Sequence, residues 1–171
     1  MSAPVYFDTS VFLAIFNGEP EGPDIKALLK ELKRDKVKIC TSIVTVQEVS
    51  VLSYRRGTLA ADNHSKVNRL ARIHGLDKEI VLTAAKFEAQ LKDLAKSADP
   101  KAQQEDNRRR KWDCFHIATA VSLQCSVLYA TDEKLLKRKE QLGIAMEFSK
   151  PVPSKPTLFP EGAANTAAAP N

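Results

Sequence analysis

No run of apolar residues in this 171-residue chain approaches the length of a membrane span, and the N-terminus lacks the basic-then-apolar form of a signal peptide. Cysteines are few. Cys40, Cys114 and Cys125 are odd in number and form no C-x-x-C, so they are expected as free thiols, small core residues of a protein kept in a reducing compartment. His64 and His74 show no zinc-ligand spacing with each other or with the cysteines. No segment repeats. These absences point away from membrane, disulfide-rich and zinc-ribbon classes and lead to the expectation of a cytoplasmic globular protein.

What is present is ordinary in amount: 43% hydrophobic and 27% charged residues, in a chain of the size of one domain with a substantial core. The net charge of +5 leans toward an acidic partner such as nucleic acid. Residues 1–149 carry the periodic segments. From Lys150 onward, prolines and small residues without apolar periodicity predict a disordered tail, 150–171.

Along the first part, short apolar runs alternate with helical patterns. Val5 to Phe7 reads as a buried strand. Asp8, Thr9 and Ser10 then offer caps for a helix holding Val11, Phe12 and Ile15. Ile25, Leu28, Leu29 and Leu32 give the stretch from Asp24 to Arg34 one apolar face. "KVKIC" (Lys36 to Cys40) predicts a second strand, and Thr41, Ser42 or Thr45 can cap the helix after it. A helical stretch around His64 to Ile73 precedes a long helix capped by Asp77. Ala98 to Lys111 is highly charged and reads as a loop or a frayed helix end, before "WDCFHIATAVSLQ" returns to helix. "SVLYAT" (Ser126 to Thr131) is strand-like, Asp132 opens a helix closed by Gly143, and "IAMEF" supplies a last strand. Alternation of this kind predicts an α/β domain with a mainly parallel sheet, whose sites lie at the carboxyl ends of the strands.

That rule gives the acids a meaning. Asp8 interrupts "VYFDTSVFLAIF" where a carboxylate among apolar neighbours is costly, and it follows the first strand. Asp132 follows "SVLYAT". Glu48 lies about two turns into the helix after "KVKIC", and Asp113 is expected at the start of its helix, where the dipole favours an acid. Each has a plain structural explanation: the three aspartates as helix caps, Glu48 as the closing residue of a capping box with Thr45 in "TVQE". Caps alone do not require all four at one end of the sheet. Clustered carboxylates repel unless neutralised, and a hard divalent cation such as Mg²⁺ or Mn²⁺ prefers oxygen ligands with retained waters. Such a site suits phosphodiester cleavage.

The ordered set "VYFDTSVFLAIF", "TSIVTVQEVS", "KWDCFHIATAV" and "LYATDEKL" resembles the PIN-domain nucleases, and within them the VapC-type toxins of toxin–antitoxin pairs. The resemblance spans about Val5 to Phe148. It implies a three-layer α/β/α sandwich around the parallel sheet and an Mg²⁺- or Mn²⁺-dependent endoribonuclease. Asp8, Glu48, Asp113 and Asp132 would form the catalytic and metal site, with Thr131 orienting a carboxylate. It further implies an RNA substrate, a cognate antitoxin that silences the site, and a homodimer. The charged segment before Asp113 is longer than in compact members, and the tail has no counterpart there.

Arg108, Arg109, Arg110 and Lys111 precede "WDCF" and are candidates for holding a nucleic-acid backbone, with Arg55, Arg56, Arg69 and Arg72 as a further positive rim. "KLLKRK" (Lys134 to Lys139) reads as a solvated helix face. His116, one turn after Asp113, is expected to make a structural hydrogen bond, and Trp112 to anchor a core or interface. Two other readings compete. An aspartate-nucleophile phosphatase also begins with a strand-ending Asp but carries D-x-D, where this chain has Ser10. A catalytically inactive nucleic-acid-binding or scaffolding module would keep the fold without turnover.

Overall fold

Val5–Phe7 forms the first strand, β1, and it occupies the middle of a five-stranded sheet. The computed structural model describes residues 2–57, 60–94 and 100–154, apart from the side chains at 52, 56, 60, 61 and 100–108. The other strands are β2 (Ile39–Ser42), β3 (Arg72–His74), β4 (Val127–Tyr129) and β5 (Glu147–Ser149). Their order across the sheet is β3-β2-β1-β4-β5, and every pairing is parallel. Both neighbours hold β1 in register, with Tyr6 opposite Cys40 on one side and Leu128 on the other.

Helices cover both faces, as parallel strands require. Successive side chains of β1 point to opposite sides. Phe7 therefore packs with Val11 and Phe12 of α1 (Thr9–Asn17), Ile25 and Leu28 of α2 (Gly22–Arg34), Val49 of α3 (Ile43–Arg56) and Val67 of α4 (Ala60–Leu70). Tyr6, between Val5 and Phe7, faces the other way. There Cys40, Leu128 and Ala130 meet Ile117 and Ala120 of α6 (Pro100–Ser122) and Leu135 of α7 (Glu133–Leu142). A third cluster joins α5 (Lys78–Leu94) to α6 through Ile80, Ala84, Leu91, Cys114 and Ala118. The result is the expected three-layer α/β/α sandwich. Phe7, Phe12, Ile25, Leu28, Ile117, Leu128 and Leu135 are fully buried, each contributing about 1.5–3 kcal/mol over an exposed position. All three cysteines are buried free thiols.

Several local expectations change. β3 was not read from the sequence; "RIH" continues from α4 in the stretch read as helix up to Ile73. The charged segment from Pro100 is the front of α6 rather than a loop, so Asp113 sits well inside a helix and gains nothing from its dipole. β2 starts and ends later than "KVKIC", which makes Ser42 the cap of α3: its hydroxyl accepts from the Val44 N–H at 2.9 Å. Glu48 therefore closes no capping box with Thr45. Asp77 does cap α5, accepting from the Ile80 N–H at 2.9 Å, and Gly143 closes α7 in the left-handed region at φ 62°, which glycine enters without a Cβ clash.

Lys150 to Ser154 lie against the rest of the described chain. Lys150 pairs with Glu133 at 3.0 Å, Pro151 is buried, and the Ser154 N–H donates to Glu31 at 3.0 Å. The rest of the expected tail, 155–171, lies outside the described residues. Among the described residues, no helix is long and apolar enough to cross a membrane.

Candidate active site

The strand order runs outward from β1 in both directions, so the crevice between β1 and β4 at their carboxyl ends is the point where the sheet's winding reverses. Ligands of open α/β sheets bind there. Asp8 and Asp132 are the residues that leave it. Asp8 caps α1, its Oδ2 accepting from the Ser10 N–H at 3.0 Å, and Asp132 caps α7, its Oδ1 accepting from the Lys134 N–H at 2.8 Å. Capping uses one oxygen of each carboxylate, so the cap role does not exclude a place in the crevice. Ser10 ties the two corners, its hydroxyl accepting from the Thr131 N–H at 2.9 Å.

A cleft of about 230 Å³ opens at this point, lined by Asp8, Glu48, Asp113 and Asp132 together with Thr9, Ser10, Leu13, Arg109, Trp112, His116 and Leu135. All four acids singled out in the sequence thus reach one cavity from four separate segments. The α6 contribution follows from helical geometry. Arg109, Trp112, Asp113 and His116 stand at i, i+3, i+4 and i+7, a single stripe, and all four line the cleft. Arg110, Cys114, Ile117 and Ala118 lie on the buried side.

Beneath the acids runs a buried polar network that sequence reasoning treated only as caps and a structural histidine. His116 is 2% exposed. Its Nδ1 lies 2.8 Å from the Tyr6 hydroxyl, and its Nε2 lies 3.0 Å from Glu48 Oε2 and 3.5 Å from Asp8 Oδ1. The Thr9 hydroxyl donates to the same Glu48 oxygen. Thr41 donates to the Phe7 carbonyl at 2.8 Å and lies 2.7 Å from the Thr45 hydroxyl, which lies 3.2 Å from that of Thr9. The signal was in the sequence as three threonines near strand ends and a histidine within a helix, yet nothing in their spacing tied them together.

The network sets the charges. Burial disfavours the charged imidazole of His116, but Tyr6, Asp8 and Glu48 outweigh it and hold its pKa well above the usual value. For Glu48, burial pushes upward, and the His116 and Thr9 bonds bring its pKa below the ordinary carboxylate value. Asp113 goes the other way. Burial, with Asp8 and Asp132 nearby, raises it to about 7 against the opposing pull of Arg138 and His116. Arg138 lies in the segment expected to be a solvated face. It is buried instead, with Nε 3.5 Å from Asp113 Oδ2 and an Nη donating to Gln141 at 3.0 Å.

Among the basic residues proposed for nucleic acid whose side chains are described, only Arg109 lines the cleft. Arg110 is 1% exposed, so it cannot reach a phosphate backbone without leaving the core; its place on the inner side of α6 is the reason. Lys111 is exposed outside the cleft lining, and the Arg108 side chain lies outside the described residues. Arg55, Arg69 and Arg72 are exposed but do not line the cleft, and the Arg56 side chain also lies outside the described residues.

The PIN domain family model matches residues 5–141. The chain belongs to the PIN-domain family. Among solved structures, this PIN-domain fold resembles VapBC-1 from nontypeable Haemophilus influenzae at 14% identity and a TM-score of 0.58, over 86% of this chain and 97% of that one. DNA-bound VapBC from Salmonella typhimurium aligns at 13% identity and a TM-score of 0.57, over 88% and 99%. The Mycobacterium tuberculosis toxin VapC20, which cleaves the sarcin–ricin loop, aligns at 17% identity and a TM-score of 0.53, over 77% and 92%. No curated protein sequence matches the chain.

Among the described residues, no three His, Cys, Asp or Glu side chains stand close enough together to hold a metal ion as a cage. The donor set nevertheless fits a hard divalent cation. The acids lining the cleft offer carboxylate oxygens, burial and then the nearby Asp8 and Asp132 raise the pKa of Asp113, and Mg²⁺ binds through one or two carboxylates while keeping several waters.

Proposed function

We propose that this PIN-domain protein is an Mg²⁺- or Mn²⁺-dependent endoribonuclease and the toxin of a toxin–antitoxin pair. The observation that carries the reading is the arrival of Asp8, Glu48, Asp113 and Asp132 in one cleft at the β1/β4 switch point. The likeness to VapC20 and to the two VapBC structures supports the toxin assignment and, with it, an antitoxin partner, while a homodimer rests on the family resemblance alone. The net charge of +5 suits an RNA substrate.

Asp8, Asp113 and Asp132 would hold the cation, largely through water. A bound ion of this kind neutralises a phosphodiester oxygen and lowers the pKa of water for attack on phosphorus. The chain's own groups do the rest. Glu48, kept ionised and aimed by Thr9 and His116, is an acceptor placed at the cleft wall to orient a water. Asp113, its pKa raised to about 7 by burial with Asp8 and Asp132 nearby, would give up a proton where a cation took over its charge. Arg138 behind Asp113 fixes the side chain that the cation would share.

The test is RNA cleavage by purified wild type and Asp8→Asn, each with Mn²⁺ and with chelator. Cleavage by wild type alone, and only with metal, is expected. Cleavage that persists in chelator, or equally in Asp8→Asn, would overturn the assignment.

A further inference from the structure

In the buried cluster around Tyr6, outside the lining of the acidic cleft, two cysteines meet. Cys40 lies on β2 directly opposite Tyr6. Cys125 comes from a distant part of the chain, after the end of α6 at Ser122 and before β4. The turn into it passes through Gln124 at φ 52°, the left-handed region that a residue with a side chain rarely enters. The Cys125 N–H bonds back to the Ala120 carbonyl at 3.0 Å, and the Ser126 N–H joins the Pro4 carbonyl at 2.8 Å. This path brings the Cys125 thiol within hydrogen-bond reach of Cys40 across β1. On the other side of Cys40, Arg72 of β3 stands opposite it in register. His74, two residues on and therefore on the same face, bonds to its thiol. A cysteine that only fills core space needs no such company. Cys114 is that plain case: it packs among Ile80, Ala84, Leu91 and Ala118, and burial, with Asp113 and Glu88 nearby, pushes its thiol up to about 12. At Cys40 the bond from Cys125, with His74 and Arg72 beside it, outweighs burial and holds the thiol below its usual range, while Cys125, the donor, is raised.

We propose that Cys40 and Cys125 are a peroxide-sensitive dithiol that closes into an intramolecular disulfide, stapling β2 to the entry of β4 across β1. The proposal stands apart from the ribonuclease reading. Cys40 is the attacking sulfur and Cys125 the resolving one. The Cys40 thiolate attacks one oxygen of hydrogen peroxide: an S–O bond forms, the O–O bond breaks, and hydroxide leaves, becoming water with the proton that Cys40 gave up. The Cys125 sulfur then attacks the Cys40 sulfur. The S–S bond forms, the S–O bond breaks, and the hydroxyl departs as water with the Cys125 proton. The two thiols lose two electrons, and the peroxide is reduced to water. Peroxide is small enough for a sulfur as enclosed as Cys40, and a thiol reductant reverses the link by exchange. Joining residues so far apart in sequence removes conformations from the unfolded chain, so the linked protein is the more stable form.

The test is to treat the reduced, full-length protein with hydrogen peroxide and measure its intact mass. The mass should fall by about 2 Da, the loss of two hydrogens, and return with dithiothreitol. Trypsin without reductant should then join the peptide Ile39–Arg55, which holds Cys40, to Trp112–Lys134, which holds both Cys114 and Cys125. Fragmentation of the joined pair should place the bond at Cys125. The oxidised protein should unfold about 5 °C or more above the reduced one. Cys125→Ala should show no such rise, and its Cys40 should take up oxygen instead. The wild-type mass and the joined peptides stand even if that variant does not fold. A bond to Cys114, a bond between two chains, or oxygen uptake at Cys40 of the wild type without a link would overturn the proposal. So would thiols that react only once the protein is unfolded in urea, or a linked protein no more stable than the reduced one.

Discussion

Replacing Asp113 by asparagine should make the metal-free protein more stable, and the gain should grow as the pH rises. Asp113 is 13% exposed, and burial together with Asp8 and Asp132 lifts its pKa from 3.8 to about 7. Between those two values the folded protein keeps a proton that the unfolded chain has lost. Since the folded value is the higher one, stability from this residue falls as pH rises from about 4 to about 7 and stays low above that. At 1.36 kcal/mol per pKa unit, the cost is about 2 kcal/mol at pH 5 and about 4 kcal/mol at pH 8. The substituted amide would keep the shape and an oxygen for Arg138 Nε but carry no charge to desolvate. Thermal unfolding in chelator at pH 5 and pH 8 reads the difference. At roughly 2–4 °C per kcal/mol for a chain of this size, the variant should unfold on the order of 10 °C above wild type at pH 8, with a smaller gap at pH 5. A variant less stable than wild type at pH 8, or a gap that widens toward acid, would refute the electrostatic description of the cleft.

His116→Ala should destabilise the fold by about 3 kcal/mol or more, measured by urea unfolding, because it opens a cavity and leaves Glu48 and Tyr6 without their buried partner. A cost below about 1 kcal/mol would mean that the network is not held as described. Arg109→Gln should weaken RNA binding and lower its salt dependence by about one counterion, whereas Arg110→Gln should lower the unfolding temperature; binding titrations across a salt series and melting curves separate the two. The opposite pairing of effects would show that the α6 stripe has been assigned to the wrong face.

Much of this was legible from sequence because it depends on short-range rules. The apolar run "VYF" broken by Asp8, and "SVLYAT" followed by Asp132, mark strand ends whatever surrounds them, and alternation with helices implies parallel strands. That rule places Asp8 and Asp132; Glu48 lies on α3, and Asp113 reaches the cleft from the interior of α6 rather than from the helix start expected for it. What stayed hidden depended on tertiary context. β3 is three residues long, and "RIH" holds a charge at one end, too little for any period to show; its hydrogen bonds to β2 make it a strand. Thr41, Ser42 and Thr45 are equally good caps on paper, and only the extra residues of β2 select Ser42. The charged front of α6 has no apolar stripe to announce a helix, so the segment around Arg108 to Lys111 read as one basic patch. Once it is helical, a turn of about 100° per residue sends Arg109 to the cleft and Arg110 to the core. Arg138 was hidden for the same reason, its neighbours on α7 being mostly solvated lysines. The pairing of His116 with Tyr6 joins residues 110 positions apart, which no local pattern encodes.

The central claim is that the carboxylates at the β1/β4 crevice hold a divalent cation. Mn²⁺ binding to the purified protein, followed by electron paramagnetic resonance of the free ion, tests it without any assumption about substrate. Wild type should bind Mn²⁺ saturably at neutral pH, and Asp8→Asn and Asp113→Asn should each lose that binding while remaining folded. Equal binding by wild type and both variants would contradict the claim.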